Sequence, residues 1–375
     1  MSNQYPIIGF DAKRIVRNGT GLGSYGRTLV NDLSKYPLNL RLYAPDEGRE
    51  DLRNQVIQTG NISLHTPHST LLGKAYWRSR GIVNDLLRDG VQLYHGLSGE
   101  LPFGIRKSGI KSVVTIHDLI FLRHPEFYNP IDVKLYTWKF RFTLREADHI
   151  IAISECTKRD ILEFGGTDVS EDKISLIYQS CSPRFNISPN APLSTLSKKI
   201  GRYILSVGSI EARKNTLLAV KALEHLPNDL HLVLVGRHTK YTDQISAYAN
   251  THGLESRLHI LHGVSDAELP ALYAGAECFV YPSVYEGFGI PIIEAISCGL
   301  PVVACTGSCL EEAGGPDSLY VAPDDAIGMA DAICHSLKGA DGREEHIKRS
   351  MDYIRRFSGN DVAGQVVEVY KKILG

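Results

Sequence analysis

Residues Tyr281–Pro301 read YPSVYEGFGIPIIEAISCGLP. The apolar run Cys278–Tyr281 is stopped by Pro282, and a Gly-Phe-Gly-Ile-Pro turn follows. Pro291 suits the first turn of a helix, where a missing N–H costs nothing. Gly299 suits the C-cap and Pro301 enforces the stop. The stretch is therefore a strand, a loop and a helix in that order. It carries two acids eight positions apart, Glu286 on the loop and Glu294 early in the helix. The spacing predicts that the loop, rather than one helical face, brings them round a single ligand.

The same strand–loop–helix grammar extends outward through the chain. Near-continuous Val/Ile/Leu runs, as expected of parallel strands covered on both faces, recur at Pro6–Phe10, Leu38–Ala44, Val91–Tyr94, Ser112–His117, His149–Ile153 and Lys173–Tyr178. A second series follows at Tyr203–Val207, Leu230–Val235, Leu258–Leu261, Cys278–Tyr281, Pro301–Ala304 and Ser318–Val321. Ser265 and Glu268 form a capping box, and Asn215 is placed to cap NTLLAVKALEHL. This alternation predicts doubly wound α/β structure, run twice. The Pro-, Ser- and Asn-rich Asn186–Lys199 is the expected linker. The sequence thus divides into a Rossmann-like domain over 1–187, a linker over 188–200, a second Rossmann-like domain over 201–355, and a terminal helix over 356–375 that packs back on the first. Two such sheets facing each other would share a cleft beyond the carboxyl ends of their strands.

Composition narrows the function. The chain has 375 residues and 41.5 kDa, which suits two domains. With 41 basic against 42 acidic side chains, bulk charge does not point to nucleic acid. Seven cysteines without a Cys-x-x-Cys spacing predict reduced thiols in a cytoplasmic setting. Cys305 and Cys309 have no neighbouring His pair to suggest zinc. The opening MSNQYPIIGFDAKR lacks the layout of a secretion signal, and no window is apolar enough to span a membrane.

Several residues carry candidate chemistry. The N–H groups around Gly287–Ile290 sit at a helix N-terminus, which favours an anion, and glycines allow close approach. The Glu294 carboxylate can accept from both hydroxyls of a ribose. Arg213 and Lys214 follow a strand in VGSIEARKNTLLAVKAL (Val207–Leu223), where they can clamp phosphates. Gly21, Gly23 and Gly26 match G-x-G-x-x-G, which raises an NAD-dependent dehydrogenase as a rival. That fingerprint should follow its strand directly, whereas about ten residues separate Phe10 from Gly21. In VKLYTWKFRFTLR (Val133–Arg145), Lys134, Trp138, Arg141 and Arg145 recur at helical spacing, a stripe suited to anionic headgroups. LLGKAYWRSR (Leu71–Arg80) holds the other tryptophan among basic residues.

Taken together, YPSVYEGFGIPIIEAISCGLP, the Arg213-Lys214 loop and TIHDLIFLRHPEFY (Thr115–Tyr128) resemble the retaining nucleotide-sugar glycosyltransferases of family 4, which have the GT-B fold: two facing Rossmann-like domains with a cleft between them. The resemblance covers essentially the whole chain. It implies an acceptor-side first domain and a nucleotide-sugar-binding second domain. It implies that Glu286 contacts the donor sugar, Glu294 holds the ribose, and Arg213 and Lys214 neutralise the diphosphate leaving group. His117 would hydrogen-bond the sugar, with Asp118 as a neighbouring orienter and His95, in LYHGLSGELP (Leu93–Pro102), on the acceptor side. Gly21, Gly23, Gly208, Gly287, Phe288, Gly289 and Ile290 would line the donor. The implied reaction moves a hexose, with mannose from GDP-mannose closest to the motifs, onto a hydroxyl of a glycan or lipid-linked glycan in bacterial surface polysaccharide synthesis. It needs no metal and no cofactor. A two-carboxylate glycoside hydrolase would leave the Arg-Lys pair idle. A catalytically silent nucleotide-sugar binder would not need the full set His117, Arg213, Lys214 and Glu286.

Overall fold

The computed structural model describes residues 5–67, 73–187, 195–357 and 359–375. Residues 188–194 of the expected linker, and Leu71 and Leu72, lie outside the described residues. The chain forms two compact units. Unit 1 comprises residues 1–179 and 361–375, and unit 2 comprises 180–360. The division falls at Gln179/Ser180, ahead of the Pro-rich stretch. The reason is local: Phe185 already packs edge-on against Tyr273, and its carbonyl accepts from the Cys298 thiol, so residues just after 180 belong to the second core.

Unit 1 holds a seven-stranded parallel sheet. Its strands are β1 (Ile7–Asp11), β2 (Asn39–Tyr43), β3 (Ile62–His65), β4 (Leu93–Gly96), β5 (Lys111–Ile116), β6 (His149–Ala152) and β7 (Ile174–Leu176), in the order β3-β2-β1-β4-β5-β6-β7. β1, β4 and β6 are buried along their whole length, which is why they read as near-continuous apolar runs. β3 was not visible in the sequence. It is an edge strand, and Ser63 and Leu64 are exposed, so it never needed such a run. The terminal helix Val362–Leu374 belongs to this unit: Val366, Val367 and Tyr370 share a core with Ile8, Phe10 and Val113.

Unit 2 holds a six-stranded parallel sheet in the order β10-β9-β8-β11-β12-β13. Its strands are β8 (Tyr203–Val207), β9 (His231–Val235), β10 (Leu258–Leu261), β11 (Cys278–Tyr281), β12 (Val302–Cys305) and β13 (Leu319–Val321). The helix after β11 runs Ile290–Ser297 with Pro291 in its first turn. It ends in a Schellman motif: Leu300 N–H donates to Ala295 O at 3.0 Å and Gly299 N–H to Ile296 O at 2.9 Å. Gly299 takes φ 75°, the left-handed region that glycine enters without cost. The Ser265–Glu268 box forms in hydrogen bonds, although regular helix begins only at Leu269.

Two local expectations change. Asn215 adopts φ 51° and its amide donates to Pro323 O at 2.7 Å, so it does not cap the following helix through its side chain. Its tolerance of the left-handed region is what fits it to the turn. The G-x-G-x-x-G segment is likewise no dinucleotide loop. A separate short helix, Lys13–Arg17, intervenes between β1 and the helix Gly21–Leu33. A Cβ on Gly23 would lie 1.8 Å from Asn18 O, and one on Gly26 would lie 2.9 Å from Ile15 Cγ1. These two glycines serve helix packing against the chain's own preceding turn.

Candidate functional site

In each sheet the crossovers leave in opposite directions from one adjacent strand pair. In unit 2 that pair is β8 and β11. Such a switch point is where open parallel sheets bind ligands, beyond the carboxyl ends of the strands. The loop after β8 carries Arg213 and Lys214 on a single 3₁₀ turn, Ala212–Lys214. The loop after β11 carries Glu286. The topology thus brings together residues 73 and 72 positions apart in sequence.

The contact is an ion-pair network. Lys214 Nζ donates to Glu286 Oε1 at 2.5 Å and to Tyr281 OH at 2.8 Å. Arg213 Nη1 donates to Glu286 Oε2 at 3.1 Å and to Tyr285 O at 3.2 Å. Tyr281 OH in turn reaches Glu286 Oε1 at 3.3 Å. The Glu286, Lys214 and Arg213 side chains keep only 12%, 13% and 19% of their surface exposed. Burial pushes the Glu286 carboxyl up, but Lys214 and Arg213 outweigh it and hold it below the usual carboxylate range. Burial also disfavours the Lys214 ammonium, and Glu286 reverses that, so the lysine stays charged. Tyr281 was missed as a site residue. Its only sequence signal is its place at the very end of the β11 run.

The loop between Glu286 and the helix is fixed from behind. The Cys309 thiol donates to Glu286 O at 3.1 Å and to Phe288 O at 2.5 Å. The Phe288 ring is buried against Phe357, which leaves its backbone, not its ring, for a ligand. A Cβ on Gly289 would meet the Ala313 Cβ at 2.6 Å, so this glycine is needed for the close approach of helix Leu310–Gly314. Ile290 opens the helix, where the positive end of its dipole lies. Gly208, at φ 152°, follows β8 directly.

Glu294 lies in the second turn of that helix and accepts from Tyr273 OH at 3.1 Å. Burial raises its pKa to about 7, against smaller opposing effects of Tyr273 and Arg184. The structure thus places Arg213, Lys214, Glu286 and Tyr281 in direct contact, with Gly287–Ile290 on the same loop, and Glu294 with Tyr273.

The sequence-derived residues of unit 1 are distributed differently. His95 is a correction. It is fully buried, with Nδ1 bonded to Tyr370 OH at 2.6 Å and Nε2 to Thr115 Oγ1 at 2.8 Å. Burial lowers its pKa to about 3. A strand-end histidine with both nitrogens sealed in the core cannot meet an acceptor. His117 donates from Nε2 to Leu97 O at 2.9 Å, so its Nδ1 accepts from the Gln179 amide at 3.1 Å. Burial holds it neutral, with a pKa of about 4. Asp118 Oδ1 accepts from Ile120 N–H at 3.2 Å, and so turns the chain into the next helix. Gly23 is occupied in packing, as above, while a Cβ at Gly21 would meet open space. Among the described residues, no three His, Cys, Asp or Glu side chains converge as a metal-binding group.

Comparison with known proteins accords with this geometry. Residues 19–182 match the family model for glycosyltransferase family 4, and residues 192–351 match that for glycosyl transferases group 1. The chain is 31% identical over 290 residues to O-antigen chain mannosyltransferase B of Escherichia coli, which covers 74% of each chain. It is 27% identical to O-antigen chain mannosyltransferase RfbU of Salmonella typhimurium, covering 68% of this chain and 67% of the relative. Among solved structures, a sucrose-phosphate synthase from Thermosynechococcus elongatus superposes with a TM-score of 0.79 at 20% identity, covering 98% and 99% of the two chains. Anabaena HepE in complex with UDP-glucose superposes with a TM-score of 0.77 at 17% identity, covering 98% and 99%. These are GT-B folds.

Glu294 yields a pH signature. Its folded pKa, about 7, lies above the ordinary value of 4.5. The native state therefore binds the extra proton, so this group's contribution to stability is fully present below pH 4.5 and is lost as pH rises towards 7. Urea unfolding of wild type should lose on the order of 2 kcal/mol from this group across that window, and Glu294→Gln should lack the loss. Parallel pH profiles for the two proteins would show that Glu294 is not desolvated as described.

Proposed function

We propose that this chain, which belongs to glycosyltransferase family 4, moves a hexose from a nucleoside diphosphate to a hydroxyl of a glycan or lipid-linked glycan. It does so with retention of anomeric configuration and without a metal ion. The donor reading is GDP-mannose, supported by the names of its mannosyltransferase relatives. The nucleotide-sugar class is supported by the UDP-glucose complex of a structural neighbour. The relatives' names also support a role in bacterial surface polysaccharide synthesis, which in turn suits work on the cytoplasmic side.

The observation that carries the reading is the Arg213–Glu286–Lys214 network at the unit 2 switch point. As the sugar departs, charge develops on the diphosphate. Arg213, Lys214 and the positive end of helix Ile290–Ser297 are pre-positioned to receive it, so that no solvent reorganisation is needed at the moment of reaction. Glu286 acts here as the residue that holds both cations in place and orients the sugar. The departing phosphate oxygen takes the acceptor's proton in a front-face attack. Glu294 receives the ribose hydroxyls in place of Tyr273. The Nδ1 lone pair of His117, which accepts from the Gln179 amide, is the atom a sugar hydroxyl would take over.

A thermal-shift screen with GDP-mannose, UDP-glucose, UDP-N-acetylglucosamine and NADH tests the donor by mass action. GDP-mannose should raise Tm most, and stabilisation by NADH alone would overturn the reading. In steady-state assays, Glu294→Ala should raise the donor KM, and Lys214→Ala should chiefly lower kcat by about 100-fold.

Contact with an anionic membrane surface is a further part of the proposal. Helix Pro130–Glu146 exposes Ile131, Leu135 and Trp138 by 75%, 44% and 50%, at positions i, i+4 and i+7. Exposed Lys134, Arg141 and Arg145 lie on the same helix. No helix among the described residues is long and apolar enough to cross a membrane, so this contact would be peripheral. The protein should float with anionic vesicles at low salt, and Ile131→Asp with Trp138→Ala should release it. Failure of the wild type to float retires the idea.

A further inference from the structure

A small cavity in unit 2 adjoins the Arg213–Glu286–Lys214 network. Its volume is about 10 Å³, and Ser206, Gly208, Lys214, Thr216, Tyr281 and Ser283 line it among residues at the carboxyl ends of β8, β9 and β11. That is the space of a single water. Two hydroxyls on this lining are unaccounted for. Thr216 keeps 6% of its surface exposed and Ser283 none. Among the described residues, neither Thr216 Oγ1 nor Ser283 Oγ has a hydrogen-bond partner. A buried hydroxyl without a partner carries the full cost of leaving water, so such groups are rare in folded proteins. Two of them around one water-sized space point to one occupant.

The places of the two hydroxyls in the chain give that occupant a role. Thr216 opens helix Thr216–Ala222, two positions after Lys214. Ser283 lies on the loop after β11, three positions before Glu286. A molecule held by both therefore ties the cation-bearing loop to the acid-bearing loop, in parallel with the direct ion pairs. Burial pushes the Glu286 carboxyl up, and Ser283 joins Lys214 and Arg213 in pulling it down. With its O–H turned towards the carboxylate, the Ser283 oxygen remains able to accept. The Thr216 hydroxyl has its proton to give. Leu234 and Val235 complete the wall, and an ion between them would gain little. A cation is further disfavoured beside the Lys214 ammonium.

We propose that one buried water occupies this cavity, accepting from the Thr216 hydroxyl and donating to Ser283 Oγ. Thr216 and Ser283 are then positioning residues, which act through the loops that carry Lys214 and Glu286. The positioning role rests on the glycosyltransferase reading above, whereas the water site stands without it.

The sign of a stability change separates a wet cavity from a dry one. Thr216→Val keeps the shape of the side chain and removes its hydroxyl. In a dry cavity that hydroxyl is an orphan, and its loss would leave Tm unchanged or raise it. With the water bridge in place, Tm of the full-length protein should fall by about 2–4 °C. Ser283→Ala should also lower Tm. Because both substitutions cut the same bridge, the double variant should lose little more than either single variant. In steady-state transfer assays, Thr216→Val should lower kcat by about fivefold with the donor KM within about twofold, and Thr216→Ser, which keeps the hydroxyl, should recover most of kcat. A crystal structure of the wild type should show a water bonded to both hydroxyls. An empty cavity, a Tm unchanged or raised in Thr216→Val, or additive losses in the double variant would each overturn the water site. Unchanged kcat in Thr216→Val, or no recovery in Thr216→Ser, would overturn the positioning role. If the wild type transfers no sugar, the glycosyltransferase reading falls and the positioning role with it, while the crystal structure and the Tm cycle still decide the water.

Discussion

A nearly buried carboxylate, Glu286, has to be satisfied, and the second half of the molecule is arranged around that constraint. Left alone in an apolar loop it would take up a proton. Two cations from another loop and a tyrosine hydroxyl from the strand end keep it ionised. Breaking a buried pair by removing one partner is costly, because the other charge is then left stranded. The network therefore fixes where the β8 and β11 loops lie relative to each other. It also fixes two positive side chains against the Glu286 carboxylate, in a place where water is largely excluded. In the proposed reading, the same interaction that orders the loops leaves them ready for an anion.

Both sheets place their charged clusters by the same rule. Strands β8 and β11 in unit 2, and β1 and β4 in unit 1, are the adjacent pairs from which the crossovers diverge. At one point the cluster is a carboxylate held by two cations. At the other it is an arginine bridging two carboxylates, with cations in surplus. Neither cluster could be read from charge composition, since the totals nearly cancel over the chain. Topology, not net charge, concentrates them.

The sequence told most where burial was complete. Fully covered strands read as apolar runs, and twelve of the thirteen strands among the described residues were anticipated within a few residues. The cap chemistry at Pro291 and Gly299 was readable because those residues have few alternatives. What failed to show depended on tertiary surroundings. β3 needed little apolar character because it lies at an edge. Asn215 resembles an N-cap but takes the left-handed region instead. His95 looks like a ligand at a strand end, yet Tyr370, 275 residues away, closes over it. Arg213, Lys214, Glu286 and Glu294 were picked out by motif, but their pairing was not. Tyr281 left no motif, because its partners come from separate segments.

The central claim is that Arg213 and Lys214, held by Glu286, form the receptor for a diphosphate. Calorimetric titration of GDP into wild type and into the Arg213→Ala, Lys214→Ala double variant tests it most directly, with circular dichroism to verify folding. The account predicts that the double variant binds GDP about 100-fold or more weakly and loses most of the salt dependence of binding. Unchanged affinity and salt dependence in a folded double variant would contradict it.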